Sequence, residues 1–426
     1  MSARLQAIRG MNDVLPAETP LWQFIHRTAA EVFAAYGYAE LRLPLVERIE
    51  LFKRAVGEVT DIVEKEMYVF EDRGGELLAL RPELTAGVVR AGIEHGLLHN
   101  QQQRVWCTGP VFRYEKPQAG RYRQFHQLDV EAYGIVGPDV DIEIIAMVTR
   151  LWKRLGISGC RLQINSLGTP ASRADYRAAL LDYLRGHEAA LDEDSRRRLG
   201  SNPLRVLDSK IPATQAIVRD APNLLDYLDA ESAAHFTALK AGLDALGIGY
   251  EVNPRLVRGL DYYTRTVFEW KTDQLGAQDA VCAGGRYDGL VEQLGGAPTP
   301  GIGFAIGIER LVLLLQKQGT ATASGAPQVY LCAFGAAGEA QASLLAERLR
   351  DALPALRLMH NAGGGKLAAQ LKRADRSSAP LALVIGDDEA AQGRVQVKFL
   401  REHREPLVCG LEDCAAQLAA LLNPIG

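Results

Sequence analysis

At 426 residues, with 47% hydrophobic and 23% charged side chains, the chain is too long for one compact core and too apolar for disorder. Domains of about 100 to 200 residues imply two or three of them. The formal net charge of -4 excludes the overall basic character that marks many nucleic-acid binders. No segment approaches the ~20 apolar residues of a membrane helix, and the opening residues Met1 to Arg9 lack a signal-peptide run. No membrane partner and a cytoplasmic location are therefore expected.

Residues 19–37 read as a helix: Thr19 can cap, Pro20 suits the first turn, Leu21, Ile25, Val32 and Tyr36 recur at helical spacing, and Gly37 ends it. Ala39 to Leu43 alternates as a strand, with Pro44 at its end or on an edge. Strands over roughly 104–115 and 125–135 flank the polar loop Lys116 to Gln124 and predict a long hairpin. On its second strand Leu128, Val130 and Ala132 share one face and Gln127, Asp129 and Glu131 the other; on the first, Arg113 and Glu115 share a face. That polar face is either a solvated sheet surface or the wall of a site.

Residues 171–250 turn helical and highly charged, as in Asp192 to Arg198, and predict an inserted helical subdomain. Strand character returns at Thr264 to Trp270, followed by a Gly-rich turn at Ala283 to Gly289 and a strand then helix over Gly301 to Gln316. Gln318 to Pro327, rich in Gly, Ala, Ser and Thr, reads as a linker. Beyond it the apolar strands Val329 to Phe334 and Leu381 to Ile385 alternate with helical segments, implying a small βαβ domain with a parallel or mixed sheet.

Three segments invite chemistry. Gly363-Gly364-Gly365-Lys366 fails the phosphate-loop pattern, because His360 stands at the first glycine position and Leu367 replaces the Ser or Thr that would reach magnesium; a tight turn opening a helix remains. Cys409 and Cys414, with His403 nearby, match no common zinc spacing, so buried thiols and no protein-bound metal are expected. The third, Phe112 to Gln127, places Arg113 in a strand, Arg121 and Arg123 in the loop and Phe125 on the return strand. Arginine forks suit phosphate oxygens and an aromatic face suits a base, a combination that fits a bound nucleotide.

This third segment resembles motif 2 of the class II aminoacyl-tRNA synthetases, in the form found in bacterial histidyl-tRNA synthetases. The first helix, strand and Pro44 resemble motif 1, and Gly301 to Leu311 resembles motif 3. Leu256-Val257-Arg258-Gly259-Leu260-Asp261-Tyr262-Tyr263 and Ala283-Gly284-Gly285-Arg286-Tyr287-Asp288-Gly289 look like the two signatures peculiar to the histidine enzymes. The resemblance runs from Arg9 to the C-terminal domain. It departs from the family at Leu84, where glycine is frequent, and at Lys116, where arginine is common.

The resemblance implies an α+β catalytic core over residues 1–325, an antiparallel sheet flanked by helices and interrupted by the helical insertion. It further implies an anticodon-binding α/β domain over residues 326–426. It implies histidine–tRNA ligation: ATP activates histidine to the adenylate, releasing pyrophosphate, and the amino acid passes to the 3′ end of tRNA(His). Glu83, Thr85 and Gln127 would hold the substrate ammonium group, and Glu131 and Tyr263, beside Tyr262, the imidazole. Arg113 would hold the α-phosphate and Arg121 the γ-phosphate, while Phe125 and Arg310 sandwich the adenine. Arg258 would sit against both the carboxylate and the α-phosphate. Mg2+ would accompany ATP, Gln118 and Arg123 would meet the tRNA acceptor end, and motif 1 implies a homodimer.

Taken alone, the same residues have plainer readings: Glu83 as a favourable charge at a helix N-terminus, Tyr262 and Tyr263 as strand residues with one side buried, Arg258 as a surface arginine. Three whole-chain alternatives stand beside the ligase: a histidine-binding regulatory paralogue, a ligase for another amino acid, and an α+β protein with polar sheet faces.

Overall fold

The computed structural model describes residues 5–57, 60, 62–260, 262–276, 279–320 and 325–422. Asp261 of the first histidine-type signature and residues 321–324 of the expected linker lie outside them. The chain divides into two compact units, Met1–Thr322 and Ala323–Gly426.

The first unit is built on an eight-stranded sheet. Its order is Ala39–Glu40, Gln103–Phe112, Gln124–Tyr133, Gly301–Gly307, Ala280–Arg286, Thr264–Lys271, Arg161–Ser166 and Tyr250–Val252. The interior pairings are antiparallel and the two outermost are parallel, so the sheet is mixed. Side chains two apart share a face of a pleated strand, and that alternation decides what each face meets. Leu128, Val130 and Ala132 join Ile302, Phe304 and Ile306 in a core under the helices Thr19–Ala35, Asp139–Leu155, Ala230–Ala245 and Ile308–Lys317. The opposite face is covered around Gln127, Asp129 and Glu131 by the helix Thr85–Glu94 and by part of the insertion. These three residues are buried, so the solvated-face reading is overturned: the polar face is an interior wall.

Several expectations need correction. The strand predicted over Ala39–Leu43 pairs only at Ala39–Glu40, because the Pro44 region cannot continue a ladder. The hairpin strands end at Phe112 and begin at Gln124, so Arg113 lies beyond the strand. There the Glu115 amide donates back to the Arg113 carbonyl and turns the chain. The glycines of Ala283–Gly289 do not make a turn; most belong to the interior strand Ala280–Arg286. A side chain at Gly284 would strike the Gly303 carbonyl and Phe268, so glycine here permits close strand packing. The strand Arg161–Ser166 and the helix Asp139–Leu155 were not anticipated.

The regular elements of the insertion between Pro170 and Ala245 are all helices, α or 3-10. Its boundaries are chemically set: the side chains of Thr169, Asp192 and Asp229 accept from the backbone amides of Ser172, Ser195 and Ser232, each capping a helix. A separate three-stranded sheet, Val46–Arg48, Leu77–Leu80 and Tyr68–Glu71, leaves Val69, Phe70 and Leu77 exposed. Among the described residues no helix is long and apolar enough to cross a membrane.

The second unit holds a five-stranded mixed sheet ordered Leu358–His360, Val329–Ala333, Leu381–Ile385, Arg394–Phe399 and Leu407–Gly410. The first three strands run parallel, as the βαβ reading requires, and the last two antiparallel. Gly363, Gly364 and Gly365 all take positive φ before the helix Leu367–Arg376, the tight turn expected of them.

Candidate active site

One cavity of about 400 Å³ opens onto the inner polar wall of the sheet, and its lining includes both histidine-type signatures and the hairpin. Its depth follows from the register. Gln127, Asp129 and Glu131 lie opposite Gly307, Ala305 and Gly303 on the next strand. A Cβ at Gly303 would collide with the Glu131 carboxylate, so the small residues leave room where the large polar ones project.

Part of the cavity lining is acidic and aromatic. Glu83, Asp129 and Glu131 are 3%, 1% and 1% exposed. Glu83 Oε1 accepts the Ala86 amide at 2.9 Å, at the start of the helix Thr85–Glu94, so its plain helix-terminus reading is also satisfied. Its Oε2, like Gln127 Oε1, has no hydrogen-bond partner among the described residues. Thr85 Oγ1 donates to Glu131 Oε1 at 2.6 Å, and the Tyr287 hydroxyl donates to Glu131 Oε2. Burial raises all three carboxyls: Glu83 is raised, Asp129 stands well above its ordinary range, and Glu131 is pushed up to about 8. The rings of Tyr262, Tyr263 and Tyr287 pack together, with centroids 4.7, 5.5 and 6.5 Å apart. Tyr262 and Tyr263 are buried and precede the strand that begins at Thr264, which corrects their reading as strand residues.

The same cavity carries arginines. Arg113 Nε donates to the Pro82 carbonyl at 2.8 Å, and its guanidinium lies 5.3 Å from the centre of the Phe125 ring. Arg121 pairs with Glu115. Arg310 reaches the Gly120 carbonyl at 3.1 Å and the Ala280 carbonyl at 2.6 Å. Burial lowers it, and so do Arg113 and Arg121. Arg258, read alone as a surface arginine, is instead largely buried, paired with Glu269 and set 5.9 Å from the Tyr263 ring centre. Its Nε has no hydrogen-bond partner among the described residues.

Glu83, Thr85, Gln127, Glu131, Tyr262, Tyr263, Arg113, Arg121, Phe125, Arg258 and Arg310 therefore line one cavity. Gln118 and Arg123 are not among its lining residues. Gln118 is exposed at the hairpin tip, and Arg123 folds back over the Tyr114 ring at 3.9 Å. Sequence reasoning gave no task to Asp129, Glu269 or Tyr287. Asp129 carried a signal in the strand alternation and Tyr287 in its signature, whereas Glu269 had none.

A mixed sheet carrying an arginine-bearing hairpin beside buried carboxyls and tyrosines agrees with the class II synthetase type that the motif resemblance implies. Residues 10–311 match the family model described as histidyl-tRNA synthetase, and residues 328–417 match that described as anticodon binding domain. The chain belongs to the histidyl-tRNA synthetase family. A histidine–tRNA ligase of Halorhodospira halophila is 58% identical over 420 residues, 98% of this chain and 99% of the relative. The apo histidyl-tRNA synthetase of S. aureus superposes with a TM-score of 0.81 at 35% identity, covering 97% of this chain and 100% of that one. A histidyl-tRNA synthetase of Nostoc sp. PCC 7120, at 21% identity and a TM-score of 0.72, covers 98% of this chain and 100% of its own and shares the fold.

Proposed function

We infer that the protein is a histidine–tRNA ligase, activating histidine with ATP and loading it onto tRNA(His). The observation that carries this reading is the lining of this cavity, which brings the buried Glu83, Asp129 and Glu131 and the tyrosines together with Arg113, Arg121, Arg258 and Arg310. Such a cavity matches a cationic amino acid lying head-on to a polyphosphate.

Activation joins the histidine carboxylate to the α-phosphorus of ATP and expels pyrophosphate. Two anionic groups must approach, so positioning and charge neutralisation are the protein's main contributions. Glu83, with Thr85 and Gln127, holds the α-ammonium group. Glu131 and Tyr263, beside Tyr262, read the imidazole, and Tyr287 holds Glu131 in place. A buried acceptor left without its substrate N–H is unfavourable, so analogues lacking that group are rejected.

Arg113 takes the α-phosphate, Arg121 the γ-phosphate, and Phe125 with Arg310 the adenine. Arg258, oriented by Glu269, has donor capacity left for the carboxylate and α-phosphate together. Glu115 and Glu269, which pair with Arg121 and Arg258, line the cavity together with Glu309, and among the described residues no cluster of three metal-type side chains occurs. Mg2+ would accompany ATP and would supply charge neutralisation at the phosphates.

Gln118 and Arg123 meet the acceptor end of tRNA, and the unit after the linker, with residues 326–426 as its extent, meets the anticodon. A homodimer is what the motif 1 resemblance supports. The expected site of action is the cytoplasm, where tRNA is charged. The direct test is aminoacylation of tRNA by the purified protein. Loading of histidine and no other common amino acid is expected; loading of another would replace this reading with a ligase of different specificity.

A further inference from the structure

Asp129 has no task in the chemistry above, yet it lines the cavity between Gln127 and Glu131. It is almost wholly buried, and its Oδ1 has no hydrogen-bond partner among the described residues. On the neighbouring strands it lies opposite Cys107 and Ala305, neither of which supplies a cation. The charged and titratable groups that face it are Glu83, Glu131, Arg81 and Arg113, with the thiols of Cys107 and Cys282.

Both nearby arginines have other acceptors. Arg81 donates from Nε to the Pro110 carbonyl at 2.9 Å and from one terminal nitrogen to the Leu43 and Pro44 carbonyls at 3.0 Å. Arg113 donates to the Pro82 carbonyl. Three carboxylates therefore share one buried wall. For the fold alone, an uncharged residue at this position would be less costly. A titratable group perturbed by burial inside a cleft is a mark of function.

We propose that Asp129 is a further specificity-determining residue of the amino-acid site, whose carboxylate joins Glu83 in matching the α-ammonium charge of the substrate. The proposal rests on the reading of the cavity as a histidine site. It adds a linkage. Burial, then Glu131 and Glu83, hold the Asp129 carboxyl well above its ordinary range, which favours its protonated form in the free protein. An arriving ammonium group favours the ionised form, and the proton leaves to solvent as the cation binds. The cavity thereby gains one negative charge against one positive charge. Histidine affinity then rises with pH over the range where the free carboxyl is still protonated and the ligand's ammonium still charged.

The test is calorimetric titration of the full-length protein and Asp129→Asn with histidine and with imidazole-propionate, which lacks the amino group. It is run near pH 7.5 in two buffers of different ionisation enthalpy. With the wild type, histidine should release more protons than imidazole-propionate, which shares with it the imidazole beside Glu131 but not the ammonium group. Asp129→Asn should weaken histidine roughly tenfold, about one factor of ten in Kd for about 1.4 kcal/mol. It should leave imidazole-propionate unchanged or tighter and reduce the protons released with histidine. Equal weakening of both ligands would assign Asp129 a purely structural role and overturn the proposal, as would an unaltered proton count. If the variant does not fold, the wild-type comparison decides alone: equal proton release with the two ligands overturns the proposal. Histidine that fails to bind the wild type would instead remove the underlying reading of the site.

Discussion

Glu131 lies inside the protein with Thr85 and Tyr287 donating to its two oxygens, and burial still pushes its carboxyl up to about 8. The sign of the consequence is fixed by linkage. In the unfolded chain this carboxyl titrates near the ordinary 4.5, so between there and about 8 the folded state binds more proton. Its contribution to stability is present at low pH and is lost as pH rises through about 8. Glu131→Gln, which keeps the shape and cannot ionise, should therefore flatten the fall of Tm between pH 6 and pH 8, about the window given by that shift. Thermal unfolding of the two proteins across the window checks this; parallel curves would show that Glu131 is not the group concerned. Arg258 illustrates the opposite limit of reading one residue at a time. Nothing in its own sequence neighbourhood signals Glu269, eleven residues later, which holds it inside the cavity.

At the scale of elements, the alternation of Gln127 to Ala132 fixed both faces of the central hairpin strand, because a period of two admits one register when one side is apolar. It could not tell whether the polar side met water or protein. That depends on the helix Thr85–Glu94 and the insertion, which arrive from distant sequence. Glycine misled for a related reason. Gly284 and Gly285 look like turn formers, but strand neighbours at Phe268, Thr266 and Gly303 require their missing side chains. Gly303 gives the sharpest test of this packing. Gly303→Ala would force the Glu131 carboxylate aside, and a displacement of about 1 Å at a reacting site costs on the order of a hundredfold. The expected result is a loss of that order in kcat/KM for histidine with folding retained by circular dichroism. An unchanged kcat/KM would mean that Glu131 is not held against that strand.

Across the whole molecule, the chain divides into two compact units at Thr322 and Ala323, and the expected linker Gln318 to Pro327 was read from its lack of the apolar periodicity of packed elements. A chain ending at Thr320 is expected to keep histidine-dependent adenylate formation and to lose most tRNA charging, read as pyrophosphate exchange against aminoacylation. Equal loss of both would refute the division of labour. The central claim is that one cavity, lined by buried carboxyls, tyrosines and arginines, activates histidine without a nucleophile of its own. Exchange of labelled pyrophosphate into ATP, run with each common amino acid and repeated with Arg258→Ala, tests it most directly. The account predicts exchange with histidine alone, abolished by the substitution; exchange that persists in Arg258→Ala, or none despite histidine binding, would contradict it.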